Sequence, residues 1–223
     1  SKIEIAASNT GQVQYSVDKK IKGDERLVER VAGRTFRISG GGFWQVHRKA
    51  AEMLTSAVLA DIARVGFDKT ADNLDLYGGV GLFSGAIAAK FGTDSQITSV
   101  EAYKLATDDA VLNLADLKNV KAVCAPTERF LAERGSAYKK AGSPTSSATI
   151  VLDPPRAGAG AKVVGQVLEL APKHIVYVAC DPVALARDLK PLIAGGYELV
   201  SLRAFDLFPH THHVEAVASL VRK

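Results

Sequence analysis

The sequence predicts an α/β fold in which a mostly parallel sheet carries helices on both faces. Three observations predict it. From Asn73 onward, apolar runs of strand length alternate with segments of helical period, the signature of strand–helix–strand units. Near the C-terminus the alternation stops and leaves two strand patterns, 197–204 and 214–221, with no helix between them. These can pair as an antiparallel hairpin at one edge of the sheet. Before the alternation begins, residues 1–43 hold only short β-type runs divided by glycine and polar residues, which predicts a small β extension.

In chain order, the extension offers strands at 3–5, 13–17 and 35–38, and a boundary after residue 43 separates it from the body, 44–223. Helical period follows over 46–65, where Ala50, Met53, Leu54, Ala57, Val58, Ile62 and Val65 recur on one face. Strand patterns then fall at 73–77, 96–100, 120–124, 149–152 and 174–179, with helices at 80–90, 105–117, 127–134, 161–170 and 182–193. The stretch 135–147 is rich in Gly, Ser, Lys and Ala, has no period, and reads as a mobile surface loop.

Composition narrows the function. With 47% hydrophobic residues among 223, the chain can bury a full core, and no apolar stretch is long enough to span a bilayer. Residues 1–11 are polar and lack the basic-then-apolar order of a signal peptide. Cys124 and Cys180 are too few for a disulfide scaffold or a four-cysteine metal site; a reduced, cytoplasmic setting is the simplest reading. A net charge of +4 is compatible with an RNA partner. Oligomeric state leaves no mark in the sequence.

The chemistry-bearing residues fall at the ends of the predicted strands. Asp75-Leu-Tyr-Gly-Gly-Val-Gly81 sits where the first strand turns into a helix, and Gly79 and Gly81 let the backbone turn sharply and approach a ligand. Glu101 closes the second strand, where a carboxylate can accept from both ribose hydroxyls of an adenosine. Ser84 fills the third small position of a dinucleotide fingerprint, so the turn alone does not exclude NAD. Asp153-Pro-Pro-Arg156 follows the fourth strand, and its two prolines stiffen the turn that holds Asp153. Cys180 follows the fifth strand at the start of a helix, whose free N–H groups and dipole favour a thiolate.

Together these segments carry a resemblance. Phe43-Trp-Gln45, Asp75-Leu-Tyr-Gly-Gly-Val-Gly81, Asp153-Pro-Pro-Arg156, Cys180-Asp-Pro182 with Ala186-Arg-Asp188, and Phe208-Pro-His-Thr-His-His-Val-Glu215 come in the order of the RNA uracil-C5 methyltransferase family. That family makes 5-methyluridine in tRNA and ribosomal RNA. The resemblance implies a Rossmann-like class I methyltransferase sheet and S-adenosyl-L-methionine as cofactor. It implies cofactor contacts from Gln45, Tyr77, Glu101 and Asp153 beside the glycine turn of Gly79 and Gly81. It makes Cys180 the nucleophile and Glu215 the general base, with Arg156 and Arg187 shaping the site. This sequence departs from the family at Gly78, where Cys is usual, at Leu82, where a polar residue is common, near Pro126 and Thr127, where an acidic residue often stands, and at Asp181, where Asn is usual. A carboxylate at Asp181 is expected to oppose thiolate formation.

Competing readings are an adenine amino-group nucleic-acid methyltransferase and a cofactor-binding RNA module without catalysis. The former would need no cysteine and would carry an aromatic residue in place of Arg156. His210, His212 and His213 with Glu215 suggest a metal site, but so compact a ligand set is uncommon, and no metal is expected. Phe43 and Trp44 are suited either to stack on a base or to cover the core.

Overall fold

The computed structural model describes residues 3–18, 20–141, 148–208, 210–211 and 213–223. The N-terminal segment forms five strands in two small sheets. β1 (Ile3–Ala7), β2 (Val13–Val17) and β3 (Lys20–Gly23) make an antiparallel meander, and β4 (Arg26–Val31) pairs with β5 (Arg34–Ser39). The β4–β5 hairpin alternates in the expected way, burying Leu27, Val31, Phe36 and Ile38 against the body. The body begins with α1 (Ala50–Val65); the predicted helical residues 46–49 stay outside it.

The central sheet follows the predicted alternation: β6 (Asn73–Leu76), α2 (Leu82–Phe91), β7 (Ile97–Glu101), α3 (Lys104–Asn113), β8 (Val120–Cys124), α4 (Thr127–Ala141), β9 (Thr149–Leu152), α5 (Gly160–Leu170), β10 (His174–Ala179), α6 (Pro182–Ala194), β11 (Tyr197–Phe205) and β12 (Glu215–Arg222). The strand order is β11-β12-β10-β9-β6-β7-β8. Every residue of β6, β9 and β10 is buried, as central parallel strands with both faces covered require. One core lies under α1, α2 and α3, the other under α4, α5 and α6.

One expectation needs correction. Residues 135–141 are not loop but the continuation of α4; residues 142–147 of that stretch lie outside the described residues. The last two strands form the expected antiparallel hairpin at one edge of the sheet. β12 inserts between β10 and β11 and runs antiparallel to both, so its first residue lies where the parallel strands end. Among the described residues no helix is long and apolar enough to cross a membrane.

Candidate active site

A cavity of about 670 Å³ opens at the carboxyl ends of β6, β7, β9 and β10, the edge at which open α/β sheets bind ligands. Gln45, Tyr77, Gly79, Glu101, Asp153, Arg156, Cys180 and Glu215 all line it. Gly81 and Arg187 do not. Gly81 is the left-handed N-cap of α2, and a Cβ there would lie 2.8 Å from Leu114 Cδ1, so its lack of a side chain serves packing behind the turn. Arg187 hydrogen-bonds Asp188 and the carbonyl of Ala157, away from the cavity.

On the β6–β7 side the polar groups are tied down. Glu101 accepts from the backbone N–H of Gly79 at 3.1 Å through one oxygen and from that of Tyr103 at 2.7 Å through the other. Each oxygen keeps a further acceptor site, and Glu101 lines the cavity. Ser84, the third small position, bonds Asp75 Oδ2 through its N–H at 2.9 Å and its hydroxyl at 2.6 Å, locking α2 to β6. Burial pushes the Asp75 carboxyl up to about 6 against these two bonds. Tyr77 adopts a left-handed backbone, φ 63°, a conformation non-glycine residues hold only when their surroundings enforce it.

The departure at Gly78 has a steric account. A Cβ on Gly78 would lie 2.1 Å from Ser99 Oγ. Ser99, 1% exposed, fills the space that a side chain at 78 would need. Leu82 packs with Phe36 and Val31 beside Trp44, so an apolar residue suits it.

The opposite side is charged. β10 and β12 pair Ala179 with Ala216, which makes the next positions outward, Cys180 and Glu215, neighbours at the sheet edge. Asp153 follows β9 and is held by its N–H to the Leu76 carbonyl at 3.2 Å. Burial, then the charges of Glu215 and Asp75, push the Asp153 carboxyl up to about 8. Burial also raises Glu215, with Arg156 opposing it. The Cys180 thiol is raised by burial, then by Glu215 and Asp153, and only partly lowered by Arg156. The helix start therefore does not make Cys180 acidic by itself. Asp181 is not the obstacle expected of it: its carboxylate caps α6, accepting from the Ala184 N–H at 2.8 Å, and the acids that raise the thiol are Glu215 and Asp153.

The aromatic pair divides. Trp44 is half-buried against Phe36, centroids 6.2 Å apart, and covers core. Phe43 is 69% exposed on the cavity wall, with a free face. Sequence reasoning had not singled out Tyr103 or Phe208, which also line the cavity; Phe208 lies in a quoted motif, while Tyr103 carries no local signal. Of the histidine cluster, His212 lies outside the described residues, and His213 packs edge-on against Phe208 at 5.9 Å.

One feature bears on which cofactor fits: the raised carboxyls of Asp153 and Glu215, both on the cavity wall, are relieved by a neighbouring positive charge.

The sequence model of a family described as tRNA (Uracil-5-)-methyltransferase matches residues 13–223. A relative from Streptomyces avermitilis, described as an uncharacterized RNA methyltransferase, is 46% identical over 201 residues, covering 90% of this chain and 44% of its own. Another from Thermotoga maritima, described the same way, is 33% identical and covers 99% of this chain and 47% of its own. Among solved structures, the tRNA (uracil-54, C5)-methyltransferase of Pyrococcus abyssi in complex with S-adenosyl-L-homocysteine is similar with a TM-score of 0.71 and 27% identity, over 91% of this chain and 46% of that one. The chain spans about half the length of the curated relatives it matches.

Proposed function

The chain belongs to the tRNA (uracil-5-)-methyltransferase family, and from that premise we propose that it carries the catalytic part of an S-adenosylmethionine-dependent enzyme that methylates carbon 5 of a uridine in tRNA or rRNA. Residues 44–223 are the catalytic domain in this reading and 1–43 a β extension. The observation that carries it is the adjacency of Cys180 and Glu215 across the β10–β12 ladder, with Arg156 facing both.

S-adenosylmethionine, held by Glu101, Tyr77, Gln45 and Asp153, supplies an electrophilic methyl group on a sulfonium. Glu101 accepts from the ribose hydroxyls with the lone pairs that Gly79 and Tyr103 leave free. Asp153, neutral near pH 7 while its pKa stands at about 8, ionises more readily beside that positive charge. Carbon 5 of uracil is a poor nucleophile. Addition of the Cys180 thiolate to carbon 6 turns the ring into an enolate whose carbon 5 can attack a methyl electrophile. Arg156 favours the thiolate. After methylation Glu215 removes the proton on carbon 5; the electrons of that bond restore the 5,6 double bond, and the Cys180 sulfur leaves as thiolate. A base inside a duplex cannot enter such a pocket, so the target uridine is unpaired or flipped out.

The test is a covalent adduct. With a competent RNA and S-adenosylmethionine, Glu215→Gln is expected to accumulate an enzyme–RNA species that survives denaturing gel electrophoresis, because the amide removes the base but not the nucleophile. Adding Cys180→Ala abolishes it. Normal turnover by Glu215→Gln rejects Glu215 as the base, and an adduct that persists without Cys180 rejects the nucleophile. Full activity of Cys180→Ala points instead to amino-group methylation.

A further inference from the structure

Helix α5 starts without a cap of its own. Its N-cap position is Ala159, whose side chain accepts nothing, and an uncapped helix start leaves backbone donors unsatisfied. The acceptor comes from α6. The carboxylate of Asp188, 2% exposed, accepts through Oδ2 from the N–H groups of Ala159 at 2.7 Å and Gly160 at 3.2 Å, and from the Tyr177 hydroxyl at 2.7 Å. Through Oδ1 it accepts from Arg187 Nε at 3.0 Å and Nη2 at 2.9 Å, and Arg187 Nη2 also donates to the Ala157 carbonyl at 2.6 Å.

The chain is pressed onto this pair. Gly158 has φ +77°, and a Cβ there would lie 2.5 Å from both Asp188 Oδ2 and Arg187 Nη2. A turn closed by the Gly158 N–H on the Pro155 carbonyl at 2.7 Å joins this anchored segment to Arg156. Burial works to raise the Asp188 carboxyl, but the bonds from Tyr177, Gly160, Arg187 and Ala159 outweigh it and hold the group below its usual range. The anchor therefore stays charged at the pH where the cavity works.

We propose that Asp188 is a positioning residue for the chemistry at Cys180: with Arg187 it holds residues 157–160 from behind and so fixes Arg156 toward Cys180 and Glu215. The proposal deepens the reading of Cys180 as nucleophile and rests on it for its effect on rate. Among the described residues, the charged groups that act on Cys180 are Glu215 at the start of β12, Asp153 after β9, and Arg156. Arg156 alone among these favours the thiolate, so a loop released from Asp188 leaves the two acids unopposed and the thiol titrates at higher pH. The direction is diagnostic. Deleting a negative charge lowers a nearby thiol pKa by direct Coulomb interaction, so an upward shift reports movement of Arg156, not the lost charge.

The experiment follows iodoacetamide alkylation of Cys180 from neutral to alkaline pH by peptide mass spectrometry, with exposed Cys124 as internal reference. It needs neither RNA nor methyl donor, so its outcome is separable from that of the proposed reaction. Arg156→Ala is expected to raise the Cys180 midpoint. Asp188→Asn is expected to raise it by about half a pH unit or more, and the double variant to go no further than Arg156→Ala alone, because the two act through one contact. Arg187→Gln, changed at a side chain 56% exposed, removes the bridge to Ala157 and gives a smaller shift of the same sign; it carries the test if Asp188→Asn fails to fold. A midpoint that stays or falls in Asp188→Asn, or in Arg187→Gln in its place, overturns the proposal, as do shifts that add in the double variant or an Arg156→Ala midpoint equal to wild type. If the shifts occur but Cys180→Ala retains methylation, the positioning stands and the reading of Cys180 as nucleophile falls.

Discussion

The two sides of the cavity are built on different principles. The side along β6 and β7 comes from one contiguous strand–turn–helix and the strand beside it, and its carboxylates are hydrogen-bonded: Glu101 to two backbone amides, Asp75 to Ser84. The side along β9, β10 and β12 gathers Asp153, Arg156, Cys180 and Glu215 from three separate segments; burial pushes both acids and the thiol up, and neighbouring acids add to it at Asp153 and Cys180. The first side is held by hydrogen bonds, even at Asp75, whose carboxyl burial pushes up to about 6. The second is held in electrostatic conflict that a bound cation or a proton relieves, the usual condition of groups that must change protonation during a reaction.

That contrast can be broken at its two ends. The largest effect is expected on the reaction side. Cys180→Ala should lower methyl transfer by on the order of a thousandfold or more while leaving cofactor affinity within about twofold, measured by labelled-methyl incorporation and titration calorimetry. A parallel loss of affinity would merge the two sides into one. On the binding side Glu101→Ala should weaken S-adenosylmethionine by about tenfold or more, because hydrogen bonds to a charged acceptor contribute on the order of 1.5–3 kcal/mol. Unchanged affinity would move the ribose site elsewhere.

Two smaller effects sharpen it. Gly78→Ala should cost about 1–3 kcal/mol in denaturant unfolding, since the new Cβ meets Ser99 Oγ; adding Ser99→Gly should recover part of the loss, and no recovery would remove Ser99 as the cause. The last concerns pH. A carboxyl with a folded pKa of about 8 against an ordinary 3.8 binds its proton more readily in the folded state. Its stabilising contribution is complete below the unfolded value and is lost as pH rises through the folded one. Without cofactor, the melting temperature should therefore fall between about pH 5 and pH 8, and Asp153→Asn should flatten that fall. An equally steep decline in the variant would assign the trend to other groups, Asp75 first among them, since its pKa of about 6 acts in the same direction.

The sequence by itself determined whatever depends on neighbours along the chain. The buried strands announced themselves as apolar runs, the turn at Gly79 and Gly81 as glycines between a strand and a helix, and the strand ends as the places where Glu101, Asp153 and Cys180 stand. Local period failed where composition misled it: 135–141, rich in small and polar residues, still closes α4, because Leu131 and the apolar residues around it anchor that helix to the core. Only the tertiary structure decided which distant groups meet. Inserting β12 antiparallel between β10 and β11 delivers Glu215 to Cys180. The carboxylate of Asp188 caps a helix that begins far earlier in the chain, and Ser99 occupies the space beside Gly78. Whether Cys180 is acidic was equally beyond the sequence, since the helix start argues one way while burial and two acids argue the other. Secondary structure follows from short-range periodicity, whereas register, burial and charge depend on which surfaces come together across the sheet, and no local pattern encodes those distances.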